Sequence, residues 1–250
     1  MKNIVLLFLS IFLLVSCDQK TVSEKKSVSE NPEVTSDAQA ENNTPEGFII
    51  TKNTAPGSPG MMTQEENDRV RSAYNNAIQY YQQGKLREAA EQFEIVLQFY
   101  PENPKALYYL GKIYYELNEF DISLSYYEKA LVNNFADSLS TLSIGMIYYQ
   151  EKNMEKAMEY YNMAIEGAPY YGLAYYNRGT LYGQQNKYDL SLADLNKSIE
   201  LDQTNANAYL NRGLAYYYLK QMDKACEDWQ KAADMGLAEG KKAVDIYCKK

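Results

Sequence analysis

An all-α helical-repeat solenoid is the fold class this sequence predicts, and three observations carry it. The first is a period. Five consecutive blocks of 34 residues, starting at Val70, Pro104, Ser138, Gly172 and Ala206, align without an insertion. Their eleventh residues are Tyr80, Tyr114, Tyr148, Tyr182 and Tyr216, and their eighth are Ala77, Gly111, Gly145, Gly179 and Gly213. The second is the layout of each block as two helical stretches around a polar break, Gln82-Gln83-Gly84-Lys85 in the first unit and Leu117-Asn118-Glu119 in the second. The third is residue size. Position 20 is small throughout (Ala89, Ser123, Ala157, Ser191, Ala225), while position 24 is large (Phe93, Tyr127, Tyr161, Leu195, Trp229). A fixed period of this length means units that each bury an apolar face only against their neighbours.

The elements follow in chain order. Lys2 gives a positive start, and Ile4 to Val15 form an apolar run of twelve residues. A membrane-spanning helix needs about 20, so the run suits a secretory signal peptide instead. Its end, Leu14-Val15-Ser16-Cys17, resembles the lipobox of bacterial lipoproteins. That resemblance implies cleavage after residue 16, a diacylglycerol thioether on Cys17, and attachment to a bacterial membrane. The expected place is the outer membrane or cell surface, with the inner membrane left open. Residues 17–62 are rich in Ser, Thr, Glu, Asn, Lys and Pro, too polar to bury a core, and are expected to form a disordered tether. A flexible chain of about 45 residues spans roughly 35–40 Å. Phe48-Ile49-Ile50 is its one apolar interruption, and whether it docks on the folded part stays open.

Thr63-Gln64-Glu65-Glu66 is a capping box that should start the first helix. Pro101 and Pro169 fall at position 32, where a second helix should stop. Residues 238–250, with Ala243, Val244, Ile246 and Tyr247 among lysines, read as an amphipathic capping helix. Cys226 and Cys248 could join that cap to the last unit by a disulfide, or remain two buried thiols.

The residues at positions 8, 11, 20 and 24 resemble those of the tetratricopeptide repeat family across residues 70–239. The resemblance implies a right-handed solenoid over residues 63–239, built of units 70–103, 104–137, 138–171, 172–205 and 206–239. Small residues at 8, 20 and 27 would let helices approach, and aromatics at 11 and 24 would fill the space. Position 7 departs from an apolar pattern in units four and five, with Arg178 and Arg212. Those units alone carry an acid at position 23, Asp194 and Asp228, which predicts a structural, bidentate Arg–Asp pair within each.

In this family the first helices line a concave groove. Carried over by position, the resemblance implies a peptide-binding face of Tyr74, Tyr108, Tyr109, Lys112, Tyr115, Tyr149, Tyr176, Asn177, Asn211 and Tyr217. The competing reading packs many of these rings between helices. Position 5 holds no lysine and position 6 no arginine, so a clamp for a C-terminal carboxylate is not expected.

Composition narrows the function. The chain has no histidine, which removes His-based acid–base catalysis, Ser-His and Cys-His nucleophile pairs and the commonest metal ligand. With 33 acidic against 25 basic residues it should repel phosphate backbones, so nucleic acid is not an expected partner. The expectation is a non-enzymatic, membrane-anchored scaffold that binds a protein or peptide, with no cofactor and no metal. The alternative is a structural subunit or assembly factor of a fixed envelope complex, using convex or edge surfaces.

Overall fold

The computed structural model describes residues 62–132 and 137–248, which hold eleven α-helices and no strand. The expected signal peptide, Cys17 and Phe48-Ile49-Ile50 lie outside the described residues, as does the expected tether up to residue 61. The chain divides between Pro101 and Glu102 into two compact units.

In the first unit, α1 (Gln64–Gln82) opens on the expected box: Thr63 Oγ1 accepts from the Glu66 amide at 3.1 Å, and Glu66 Oε2 accepts from the Thr63 amide at 2.7 Å. It buries Val70, Ala73 and Ala77 along one stripe. Opposite lies α2 (Leu86–Phe99), burying Ala89, Ala90, Phe93 and Val96. The helix stops at Phe99, two residues ahead of Pro101.

The second unit runs α3 (Pro104–Glu116), α4 (Phe120–Val132), α5 (Asp137–Gln150), α6 (Met154–Gly167), α7 (Gly172–Gln184), α8 (Tyr188–Leu201), α9 (Ala206–Tyr218), α10 (Met222–Asp234) and α11 (Ala238–Tyr247). Asparagine caps three of these helices: Asn103, Asn153 and Asn205 accept from the amides of Ala106, Lys156 and Ala208 at 2.9, 3.2 and 3.2 Å.

Each polar break is the same turn. Position 15 is left-handed in every repeat, at Gly84, Asn118, Lys152, Asn186 and Lys220, with φ between 60° and 72°. Its amide bonds back to the carbonyl of position 12. The next amide reaches the carbonyl of the position-11 tyrosine, as in Lys85 to Tyr80 at 2.9 Å and Asn153 to Tyr148 at 2.8 Å. This is the Schellman closure of a helix, and so short a turn sends the second helix back along the first.

Small residues at position 8 let the pair close. A β-carbon at Gly111, Gly145 or Gly213 would stand 2.7 Å from the ring of Tyr127, Tyr161 or Trp229 respectively, each at position 24. Ser123, at position 20, donates to the Gly111 carbonyl at 2.6 Å. The size pattern of the sequence is thus the packing contact itself.

At the end, α11 lies against α10 so closely that a β-carbon at Gly240 would meet Ala233 N at 2.7 Å and Trp229 O at 2.8 Å. Cys226 and Cys248 are joined, with Cα atoms 5.7 Å apart, so the disulfide alternative is the one present.

Candidate functional site

Side-chain hydrogen bonds link three successive first helices of the second unit. Gln184 of α7 donates from Nε2 to the Tyr149 hydroxyl of α5. Asn211 of α9 donates from Nδ2 to Thr180 Oγ1 at 3.0 Å and to the Tyr176 hydroxyl at 3.4 Å, both on α7. Thr180 lies one helical turn beyond Tyr176, which puts both oxygens on the face toward α9. Next to Tyr176 in sequence is Asn177, 1% exposed, with neither Oδ1 nor Nδ2 hydrogen-bonded. Burial pushes the phenols of Tyr149 and Tyr176 up, in each case partly offset by hydrogen bonds, so both stay neutral groups.

The ten expected face residues are not equally exposed. Tyr74, Tyr108, Tyr109, Lys112, Tyr149 and Tyr217 are half-buried. Tyr115 and Asn211 are buried, as are Tyr176 and Asn177, so these four present no open surface. Several rings pack between helices. Tyr74 stands edge-on to Phe93 at 5.6 Å, Tyr108 lies 5.8 Å from Tyr127, and Tyr217 is 5.2 Å from Tyr247. Large apolar rings fill the space that small residues leave, so in this sense packing won over exposure. Of the ten, Tyr176 and Asn211 are brought into contact, and Tyr149 is tied to α7 through Gln184.

The Arg–Asp pairs have the bidentate form. Arg178 donates from Nε and Nη2 to Asp194 at 2.7 and 2.8 Å, and Arg212 does the same to Asp228 at 2.8 and 2.7 Å. Each guanidinium also reaches the preceding repeat, through Nη1 to Asn162 and to Asn196, both at 2.8 Å. Tyrosines one turn to either side flank the cation, Tyr175 and Tyr182 for Arg178, and Tyr209 and Tyr216 for Arg212. Hydrogen bonds donated to the carboxylates hold both guanidiniums above their usual range. Among the described residues, no His, Cys, Asp and Glu cluster is placed to hold a metal, and no helix is long and apolar enough to cross a membrane.

Models of the tetratricopeptide repeat match residues 74–134, 110–172 and 207–234, and a TPR repeat model matches 181–220. The chain belongs to the tetratricopeptide repeat family. No curated protein sequence matches it. Among solved tetratricopeptide structures it is similar to residues 41 to the end of MamA from Desulfovibrio magneticus RS-1, with 17% identity, TM-score 0.58, and 68% and 96% of the two chains covered. PilF of Pseudomonas aeruginosa aligns at 16% identity and TM-score 0.61, over 75% of this chain and 96% of that one. YrrB, described as a TPR protein with an unusual peptide-binding site, aligns at 22% identity and TM-score 0.55, over 73% and 95%. These likenesses establish the tetratricopeptide fold.

Sequence reasoning missed four partners in this repeat array. Thr180 and Gln184 occupy positions 9 and 13 of the fourth unit, both groove positions of the family, yet neither is a tyrosine or asparagine. Asn162 and Asn196 stand at position 25 of the units that precede each arginine-bearing unit. That coincidence was the available signal, since position 25 elsewhere holds Glu94, Glu128 and Gln230.

Proposed function

We propose that this chain is an exported, lipid-anchored scaffold that holds an extended protein segment against α5, α7 and α9. The observation that carries the reading is Asn177, a buried amide with both polar atoms unbonded. Each such atom costs roughly 1–3 kcal/mol of desolvation, so an amide is kept here at the expense of stability. A backbone peptide group offers one donor and one acceptor, the complement of an asparagine side chain. The same helices carry the hydrogen-bonded side chains of Tyr149, Tyr176, Thr180 and Asn211 on a rigid frame, which suits recognition of backbone rather than of one particular side chain. Because the amide is buried, a segment that reaches it must displace a contact.

Export is supported by two independent features. The leader ends in a lipobox at Cys17, and the two other cysteines form a disulfide, a bond that persists in oxidising compartments. YrrB lends an analogy for peptide binding within the same fold. The alternative, a fixed structural subunit, is favoured by the burial of Tyr115 and Tyr176, which leaves less open face. Site-specific photocrosslinking from position 184 in intact cells separates the two. The scaffold reading expects an adduct that Asn177→Leu abolishes; a fixed subunit expects adducts indifferent to that change.

A further inference from the structure

The last helix of the described residues is held in an unusual balance. Ten residues is below the ~12–15 at which an isolated helix is even marginal, so α11 depends on what it touches. Of its residues only Gly240 and Ala243 are buried, while Val244 and Tyr247 add partial contact with the cluster of Leu210, Leu214 and Trp229. Its outer side leaves Ile246 57% exposed. The remaining hold is covalent, the bond between Cys226 of α10 and Cys248 just past α11.

Two further features define what can sit there. The connection between α10 and α11 is Met235-Gly236-Leu237, with Gly236 at φ +92°, a conformation that costs glycine little. The seat itself admits only a helix that carries glycine at the crossing, because any β-carbon there meets backbone at 2.7–2.8 Å. The sequence that satisfies this seat is that of α11.

We infer that α11 is a thiol-latched cap that two copies of this chain can exchange. With the bond closed, the cap is confined to its own chain. A dithiol reductant opens it: two electrons and two protons pass to the sulfurs of Cys226 and Cys248, and the dithiol becomes a disulfide. The freed seat then takes α11 of a second copy, with all its native contacts kept; a small-molecule disulfide, reduced to two thiols as it takes up two electrons and two protons, then joins Cys226 of one chain to Cys248 of the other. Such exchange of an identical element is a low-cost route to a dimer.

The test uses the full chain carrying Cys17→Ser, which leaves Cys226 and Cys248 as its cysteines. At a protein concentration too dilute for exchange, dithiothreitol should shift the emission of the lone, buried Trp229 to longer wavelength while the far-ultraviolet helical signal stays largely intact. Reoxidation of mixed isotope-labelled and unlabelled chains should give covalent dimers whose share rises with protein concentration. Their peptide maps should carry Cys226–Cys248 bridges of mixed label. Unchanged Trp229 emission under reductant would overturn the inference, as would outright loss of helicity. Products that stay monomeric at every concentration, or that bridge like cysteine to like, would overturn it too.

Discussion

Replacing Arg178 by methionine isolates the energetics of the cross-link among α6, α7 and α8. The change removes two charge-assisted bonds to Asp194 and one to Asn162. It also strands Asp194, whose side chain is only 9% exposed, without a counter-ion. Breaking a buried pair in this way costs about 3–5 kcal/mol. The Arg178 side chain is 20% exposed, so water can partly reach the vacated space and the lower end of that range is expected. The double variant Arg178→Met with Asp194→Leu removes both charges and should unfold near the parent or above it, since well-packed apolar replacements recover about 1–4 kcal/mol of desolvation. The second Arg–Asp pair points the same way: burial pushes the Asp228 carboxyl up, and Arg212 only partly opposes it. Urea unfolding followed by circular dichroism gives both midpoints, with the slope as a check on cooperativity. A single variant no less stable than the double would refute the reasoning, because the cost would then lie in the lost bonds and not in the stranded charge.

Other consequences of the fold are open to the same assay. Gly213→Ala places a methyl 2.7 Å from the Trp229 ring and should cost about 1–3 kcal/mol; a neutral result would mean that α9 and α10 are not packed as described. Lys152→Gly and Lys220→Gly relieve left-handed backbone at φ 62° and 63° and should each stabilise by up to about 1 kcal/mol, with a loss in both counting against that assignment. The phenols of Tyr149, Tyr161 and Tyr176 are all pushed up by burial. Their stabilising contribution is therefore complete below the ordinary tyrosine range and is lost as pH rises through the folded values. Thermal stability should hold to about pH 9.5 and then fall, each such tyrosine contributing about 1.4 kcal/mol per pH unit; a flat profile to pH 11 would contradict this.

Much of the architecture was legible because in a repeat one signal is read several times. Gly111, Gly145 and Gly213 against Tyr127, Tyr161 and Trp229 are one contact seen in three copies. Arg178 with Asp194, repeated 34 residues on as Arg212 with Asp228, made an ion pair readable from its co-occurrence. The candidate binding face was harder, since position alone cannot tell a ring that lines a surface from one that fills a gap. Tyr217 belongs to an aromatic cluster with Trp229 and Tyr247, and Tyr176 accepts a hydrogen bond from Asn211. The isolation of Asn177 depends on what its neighbours fail to offer, and a residue's lack of partners leaves no trace in the sequence.

The central claim, that this face holds a polypeptide backbone, rests on an amide retained for function rather than for stability. Asn177→Leu tests it most directly, because leucine fills the same space and removes two unsatisfied polar atoms. The account predicts a urea midpoint equal to or above the parent, together with loss of the adduct formed from a photoreactive residue at position 184. A variant that unfolds earlier, or that keeps the adduct, would show that Asn177 serves the fold and would contradict the claim.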